Sequence, residues 1–106
     1  MTPEQRLQAF ERFVEARPDD PFTRYALAMH LRSMGRDEAA AAAFRELARR
    51  SPDYVPTWLM LGQVLEGLGR TADAAAAYRD GVAAAGRTQD THARGELEDA
   101  LERLGA

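Results

Sequence analysis

Apolar residues recur along this chain three and four positions apart, the spacing of one face of an amphipathic helix. The pattern predicts six helices. The first spans about 3–16, with Leu7, Phe10, Phe13 and Val14 as its stripe. Thr2 stands at its cap, Pro3 suits the first helical position, and Gln5 sits where a capping box wants Glu or Gln. Arg17-Pro18 ends it, because a residue before proline is pushed out of the helical region. The second spans about 20–34, capped by Asp19, with Leu27, Ala28, Leu31 and Met34 inward and Gly35 as its stop. The third spans about 37–50, with Ala40, Ala43, Phe44, Leu47 and Ala48 inward and Pro52 closing the unit. The fourth, about 54–68, turns Trp58, Leu61, Gly62 and Leu65 inward, tolerates Pro56 in its first turn and stops at Gly69. The fifth, about 72–85, takes Thr71 as cap, turns Ala74, Ala77, Tyr78 and Val82 inward and ends at Gly86. The sixth, about 90–104, carries Ala93, Leu97, Ala100, Leu101 and Leu104.

The pattern also repeats. Gly35 and Gly69 lie 34 apart (69 − 35), and at that offset Arg36 meets Arg70, Leu27 meets Leu61, Leu31 meets Leu65, Ala40 meets Ala74 and Phe44 meets Tyr78. Pro18-Asp19 falls on Pro52-Asp53. A fixed period of this length marks a stack of helix–turn–helix units. For the sixth helix the offset becomes 36, from Leu61 to Leu97 (97 − 61) and from Leu65 to Leu101. A strict 34 would turn His92, Gly95, Glu96 and Asp99 inward, and these make no core. Two extra residues in the turn at 87–89 restore the phase. The division that follows is a flanking helix at 1–17, repeat 1 at 18–52, repeat 2 at 53–86 and a capping helix at 87–106, polar outward as a solenoid end requires.

At 106 residues the chain makes one domain, able to bury roughly 60–70% of its unfolded surface. Hydrophobic residues at 45% and charged residues at 29% are those of a folded soluble domain. Fourteen basic against 17 acidic side chains leave a net charge of −3, which argues against nucleic acid and anionic membrane as partners. Cysteine and lysine are absent, which removes disulfides, thiol chemistry, Schiff bases and a P-loop lysine. The N-terminus lacks the basic stretch and apolar run of a signal peptide, and no apolar run reaches the ~20 residues that span a bilayer. A cytoplasmic protein is expected.

Candidate chemistry is sparse. His30 and His92 are the only histidines; His92 and Glu96, four apart, form half a metal site at most. Glu96, Glu98, Asp99 and Glu102 are carboxylates on a solvated face, with no pocket to shift a pKa for acid–base work. Arg45, Arg49 and Arg50 complement the C-terminal dipole of the third helix better than they bind phosphate. The glycines follow no strand, so they cradle no nucleotide. The expectation is no enzyme, no cofactor and no metal.

Units of 34 residues bearing Trp58, Leu61-Gly62, Leu65, Gly69, Ala74 and Tyr78 resemble the tetratricopeptide repeat, in the manner of small bacterial members of that family. Repeat 1 matches through Leu27-Ala28, Leu31, Gly35, Ala40, Phe44 and Pro52, and departs at Arg24, where the family favours Trp. Repeat 2 departs at Gly81 and Gly86, where Ala and Pro are usual. The first helix resembles the second helix of an upstream unit, since Phe10 aligns with Phe44 and Pro18 with Pro52. The resemblance implies an all-α, right-handed α-solenoid of two full units with flanking helices. It also implies a protein–protein interaction module or scaffold whose concave groove holds a peptide or partner helix. Groove positions carried over are Phe22, Tyr25, Ala26, Met29 and Arg32, then Pro56, Leu59, Met60, Gln63 and Glu66, then His92, Glu96, Asp99, Glu102 and Arg103. Tyr25, Met29, Leu59 and Met60 are the apolar anchors; the acidic wall favours basic flanks on the ligand and disfavours a carboxylate-terminal tail. The alternative is self-assembly through the solenoid ends, where the first helix is the weaker cap. Whether the last helix lies beside the groove or across it stays open.

Overall fold

The computed structural model describes all 106 residues as six helices without a strand: α1 (Pro3–Ala16), α2 (Pro21–Ser33), α3 (Asp37–Arg50), α4 (Pro56–Gly67), α5 (Thr71–Thr88) and α6 (Thr91–Leu104). The capping box at α1 is formed on both sides. The Thr2 hydroxyl accepts from the Gln5 N–H at 3.1 Å, and the Gln5 side chain accepts from the Thr2 N–H at 2.8 Å. At the start of α2 the cap is Asp20 and not Asp19. Asp20 accepts from the Phe22 N–H at 2.9 Å, while Asp19 turns outward to Arg50, also at 2.9 Å. Prolines at the first helical position fix the starts of α2 and α4, so Tyr54 and Val55 lie in the turn before α4.

Two sharp turns are alike to the hydrogen bond. Gly35 and Gly69 take φ of 75° and 77°, which any residue with a Cβ resists. Beyond them the Arg36 N–H reaches the Leu31 carbonyl at 3.0 Å and the Arg70 N–H reaches Leu65 at 2.9 Å. This is the six-to-one bond of a Schellman end. The expected stop at Gly86 is not used. Gly86 keeps a helical φ, α5 runs on to Thr88, and Gln89 takes the left-handed conformation at φ 58°. The extra residues that rephase α6 are therefore additional helix rather than a longer turn. Thr71 is likewise the first residue of α5, whose cap position belongs to Arg70.

The helices pack as antiparallel neighbours in chain order, and the molecule is elongated, 40 × 28 × 19 Å. Phe44, Leu47, Leu65, Tyr78 and Leu97 are fully buried, and Ala28, Ala40, Ala74 and Ala84 form seams between them. Small residues set the helix spacing. A Cβ on Gly62 would lie 2.1 Å from the Tyr78 ring, so α4 and α5 meet this closely only with glycine there. A Cβ on Gly81 would lie 2.6 Å from the Trp58 Cβ and 2.8 Å from a Leu97 methyl.

The two units share more than packing. Arg24 donates its Nε–H to the Pro18 carbonyl at 2.6 Å, and Trp58 donates its indole N–H to the Pro52 carbonyl at 2.9 Å. Arginine thus makes in repeat 1 the bond that tryptophan makes in repeat 2. An ion-pair rung also recurs: Glu4 with Arg36, and Glu38 with Arg70, the latter at 2.5 Å. Each rung joins one helix to the turn that ends the next.

Candidate functional site

The side chains of α2, α4 and α6 meet around a cleft of about 310 Å³. Val55 and Leu97, both buried, lie deepest in it. Tyr25, Leu59 and Met60 are half-buried and give its apolar wall, with Pro56 at the edge. Asp90, His92 and Glu96 give the opposing polar wall from the start of α6. Tyr25 is held by edge-on contacts with Phe44 and Tyr54, at ring separations of 6.0 and 5.8 Å. Burial, then the neighbouring Tyr54, raise its phenol pKa above the ordinary value, and nearby Arg32 opposes the shift. The ring therefore presents a neutral, amphipathic surface.

A second, more polar hollow adjoins the first and shares Leu59 and Glu96 with it, adding Gln63, Asp99 and Arg103. Beneath it lies a three-helix lock. The buried Tyr78 hydroxyl donates to Glu66, and Arg103 donates to both oxygens of that carboxylate, at 2.9 and 2.7 Å. A forked guanidinium–carboxylate pair fixes orientation as well as distance. Arg103, then Tyr78, hold the Glu66 carboxyl below its ordinary pKa. Burial, then Glu66, push the Tyr78 phenol well up.

Of the fifteen groove positions read from the sequence, Tyr25, Pro56, Leu59, Met60, His92 and Glu96 line the cleft, Gln63, Asp99 and Arg103 join the adjoining hollow, and Ala26 and Glu102 line neither. Arg32 reaches the cleft wall through its guanidinium, 3.2 Å from the Met60 sulfur. Met29 is half-buried against the core and lines neither hollow. Phe22, at the start of α2, is 67% exposed and lies outside both. Glu66 is drawn into the lock and offers no free charge. Sequence reasoning left out Val55, Asp90, Ala93 and Leu97. Asp90 carried a findable signal, since it caps α6 by accepting from the Ala93 N–H at 3.0 Å, and a cap also faces outward at the helix end. The last helix lies beside the groove. It packs along α5, touches α4 lightly and forms the far wall of the cleft.

Both histidines and two of the arginines of α3 have polar partners. His92 sits 3.1 Å from Glu96, and His30 lies 2.8 Å from the Pro3 carbonyl. Arg49 and Arg50 both donate to Glu46, holding its pKa at about 2, with the Arg49 bond the larger cause. No three His, Asp or Glu side chains gather at metal-binding distance, and no helix is long and apolar enough to cross a membrane.

The tetratricopeptide repeat family model matches the chain twice, over residues 7–55 and 25–90. A tetratricopeptide repeat domain protein from Salinibacter ruber, solved in solution, is 40% identical; the alignment covers 82% of this chain and 88% of that one, with a TM-score of 0.78. Protein BPP2914 from Bordetella parapertussis is 28% identical over 93% of this chain and 86% of that one, at a TM-score of 0.78. The crystal structure of PcrH in complex with the chaperone binding region of PopD superposes at a TM-score of 0.87, covering 97% and 78% of the two chains at 14% identity, a likeness of fold alone. No curated protein matches the sequence. The chain belongs to the tetratricopeptide repeat family.

Proposed function

We propose that this protein is an interaction module that holds a segment of a partner protein, as a peptide or a helix, in the cleft between α2, α4 and α6. The observation that carries the proposal is the cleft itself. Half-buried apolar side chains line one wall, Asp90 and Glu96 line the other, and rigid helices support both. Apolar anchors flanked by a few polar groups suit a ligand with a hydrophobic side chain and basic neighbours. Met60 suits such a surface, since an unbranched thioether adapts to different occupants. The PcrH complex supports the reading, because a chain of the same fold is seen there with a partner's segment. Binding without turnover is the expected activity, in an intracellular setting.

The test is selection from a library of random twelve-residue peptides displayed with both ends tethered, followed by calorimetry on the selected sequences. Leu59→Glu places a charge in the cleft; Arg79→Glu, on an exposed position of α5, is the control. Both variants are first matched to the parent in helicity and unfolding midpoint. Peptides that bind the parent and the control but lose at least about tenfold on Leu59→Glu support the cleft. Selected peptides indifferent to Leu59→Glu overturn it.

A second reading, association of copies through the ends, rests on Phe13, which is 55% exposed on α1. Two residues weigh against an end-to-end stack. Arg6 stands where Ala40 and Ala74 form seams, and Glu98 stands where Ala28 and Gly62 do. Large charged groups at positions that elsewhere need small ones make close helix packing on either end costly. Sedimentation equilibrium across a wide concentration range decides, and a constant monomer mass removes this reading.

A further inference from the structure

Eight of the 14 arginines pair with carboxylates, and Arg24 has the Pro18 carbonyl. Of the remaining five, Arg6, Arg12, Arg17 and Arg79 are exposed surface groups. Arg32 is different: it is half-buried, it lies at the cleft wall, and its one polar side-chain contact is the Met60 sulfur at 3.2 Å. A thioether is a weak acceptor, and a guanidinium carries five donors arranged for a carboxylate. The array contains an apparent counter-ion, because Glu66 occupies the same position one unit along (66 − 32 = 34). That carboxylate is taken by Tyr78 and Arg103. The cleft is thus flanked by an unmatched cation on the α2 side and by Asp90 and Glu96 on the α6 side, with Leu59 and Met60 between.

Building on the cleft as a peptide site, we infer that the groove is bipolar and that Arg32 receives a side-chain carboxylate of the partner. The occupant is an amphipathic segment in which an acidic residue, an apolar anchor and a basic residue follow one another across the groove. The acidic residue meets Arg32, the anchor enters beside Leu59 and Met60, and the basic residue meets Asp90 and Glu96. Charge order of this kind contributes to register and partner choice as well as affinity.

The same peptide selection reads this directly, using parent and Arg32→Glu proteins. The parent is expected to enrich Asp or Glu on one side of the anchor and Lys or Arg on the other. Arg32→Glu should keep the anchor and the basic residue and replace the acidic one with a basic one. A synthetic selected peptide, amidated at its C-terminus, should bind Arg32→Gln about tenfold more weakly. A peptide with its acidic residue changed to lysine should regain affinity for Arg32→Glu, a reversal that mere loss of packing at Arg32 would not produce. Enrichment without an acidic residue, or an Arg32→Glu selection identical to the parent's, overturns the inference while leaving the cleft intact. Loss of binding on amidation assigns Arg32 to a terminal carboxylate and also overturns it. Peptides insensitive to Leu59→Glu sink the cleft itself, which separates the two failures.

Discussion

Alanine at position 81 is what the family pattern favours, and alanine is the better helix former by about 1 kcal/mol. In this protein Gly81→Ala should nevertheless destabilise. The new Cβ would stand 2.6 Å from the Trp58 Cβ and 2.8 Å from a Leu97 methyl, where carbon atoms need roughly 3.5–4.0 Å. Leu97 can rotate its methyl aside. The Trp58 Cβ cannot move without α4, and Trp58 is further held by its bond to the Pro52 carbonyl. The α4–α5 seam must open by about 1 Å, and overpacking of this size costs about 1–3 kcal/mol. With contacts on two sides the upper part of that range applies, so the net loss after the propensity gain is about 1–2 kcal/mol. For a domain of this length that lowers the thermal midpoint by roughly 5–15 °C. Gly86→Ala is the internal control. Gly86 lies within α5 at an ordinary φ with nothing within 4 Å of its prospective Cβ, so the same change should stabilise by about 0.5–1 kcal/mol. Thermal and urea unfolding, followed by circular dichroism and by the fluorescence of the single tryptophan, reads both. A Gly81→Ala midpoint equal to or above the parent's would refute the packing argument, and so would a shift of the same sign for both variants.

Two further tests address the lock beneath the groove. Tyr78→Phe removes the hydroxyl donated to Glu66 while Arg103 stays in place, and should cost about 0.5–1.5 kcal/mol by urea unfolding; no loss would mean the bond is idle. Glu66 has a folded-state pKa below its ordinary 4.5, so its contribution is complete above that value and fades as pH falls through the folded one. Glu66→Gln should therefore flatten the loss of stability on acidification below pH 4.5 relative to the parent, and parallel acid limbs would count against it.

The helices were legible because their signals were redundant. Apolar spacing, a proline at the starts of α1, α2 and α4 and a glycine at two stops agreed, and the turns at Gly35 and Gly69 match in their hydrogen bonds. Errors fell where a residue type admits two uses. Glycine ends a helix only when the chain needs a positive φ; at Gly86 it does not, and Gln89 takes that conformation instead. Two adjacent aspartates precede α2, and only the geometry set by Pro21 chooses Asp20 as the cap. For the groove, repeat alignment located the right helices but not the lining in full. Glu66 aligns with a groove position, yet its partners Tyr78 and Arg103 come from other helices at separations unrelated to 34, which no periodicity displays. Asp90 and Val55 reach the cleft from helix ends and turns, where the period carries least information.

The recurring rung of Glu4 with Arg36 and Glu38 with Arg70 bears on how such a chain grows. Both partners sit at fixed places in the 34-residue unit, so a tandem duplication of residues 37–70 would arrive with its own glutamate, its own arginine and its own Gly69-type turn. The added unit would find its counter-charges without any further substitution. Lengthening by whole units is then nearly neutral for folding, whereas gain or loss of a few residues must be absorbed by a change of helix length, as the overrun of α5 beyond Gly86 has done ahead of α6.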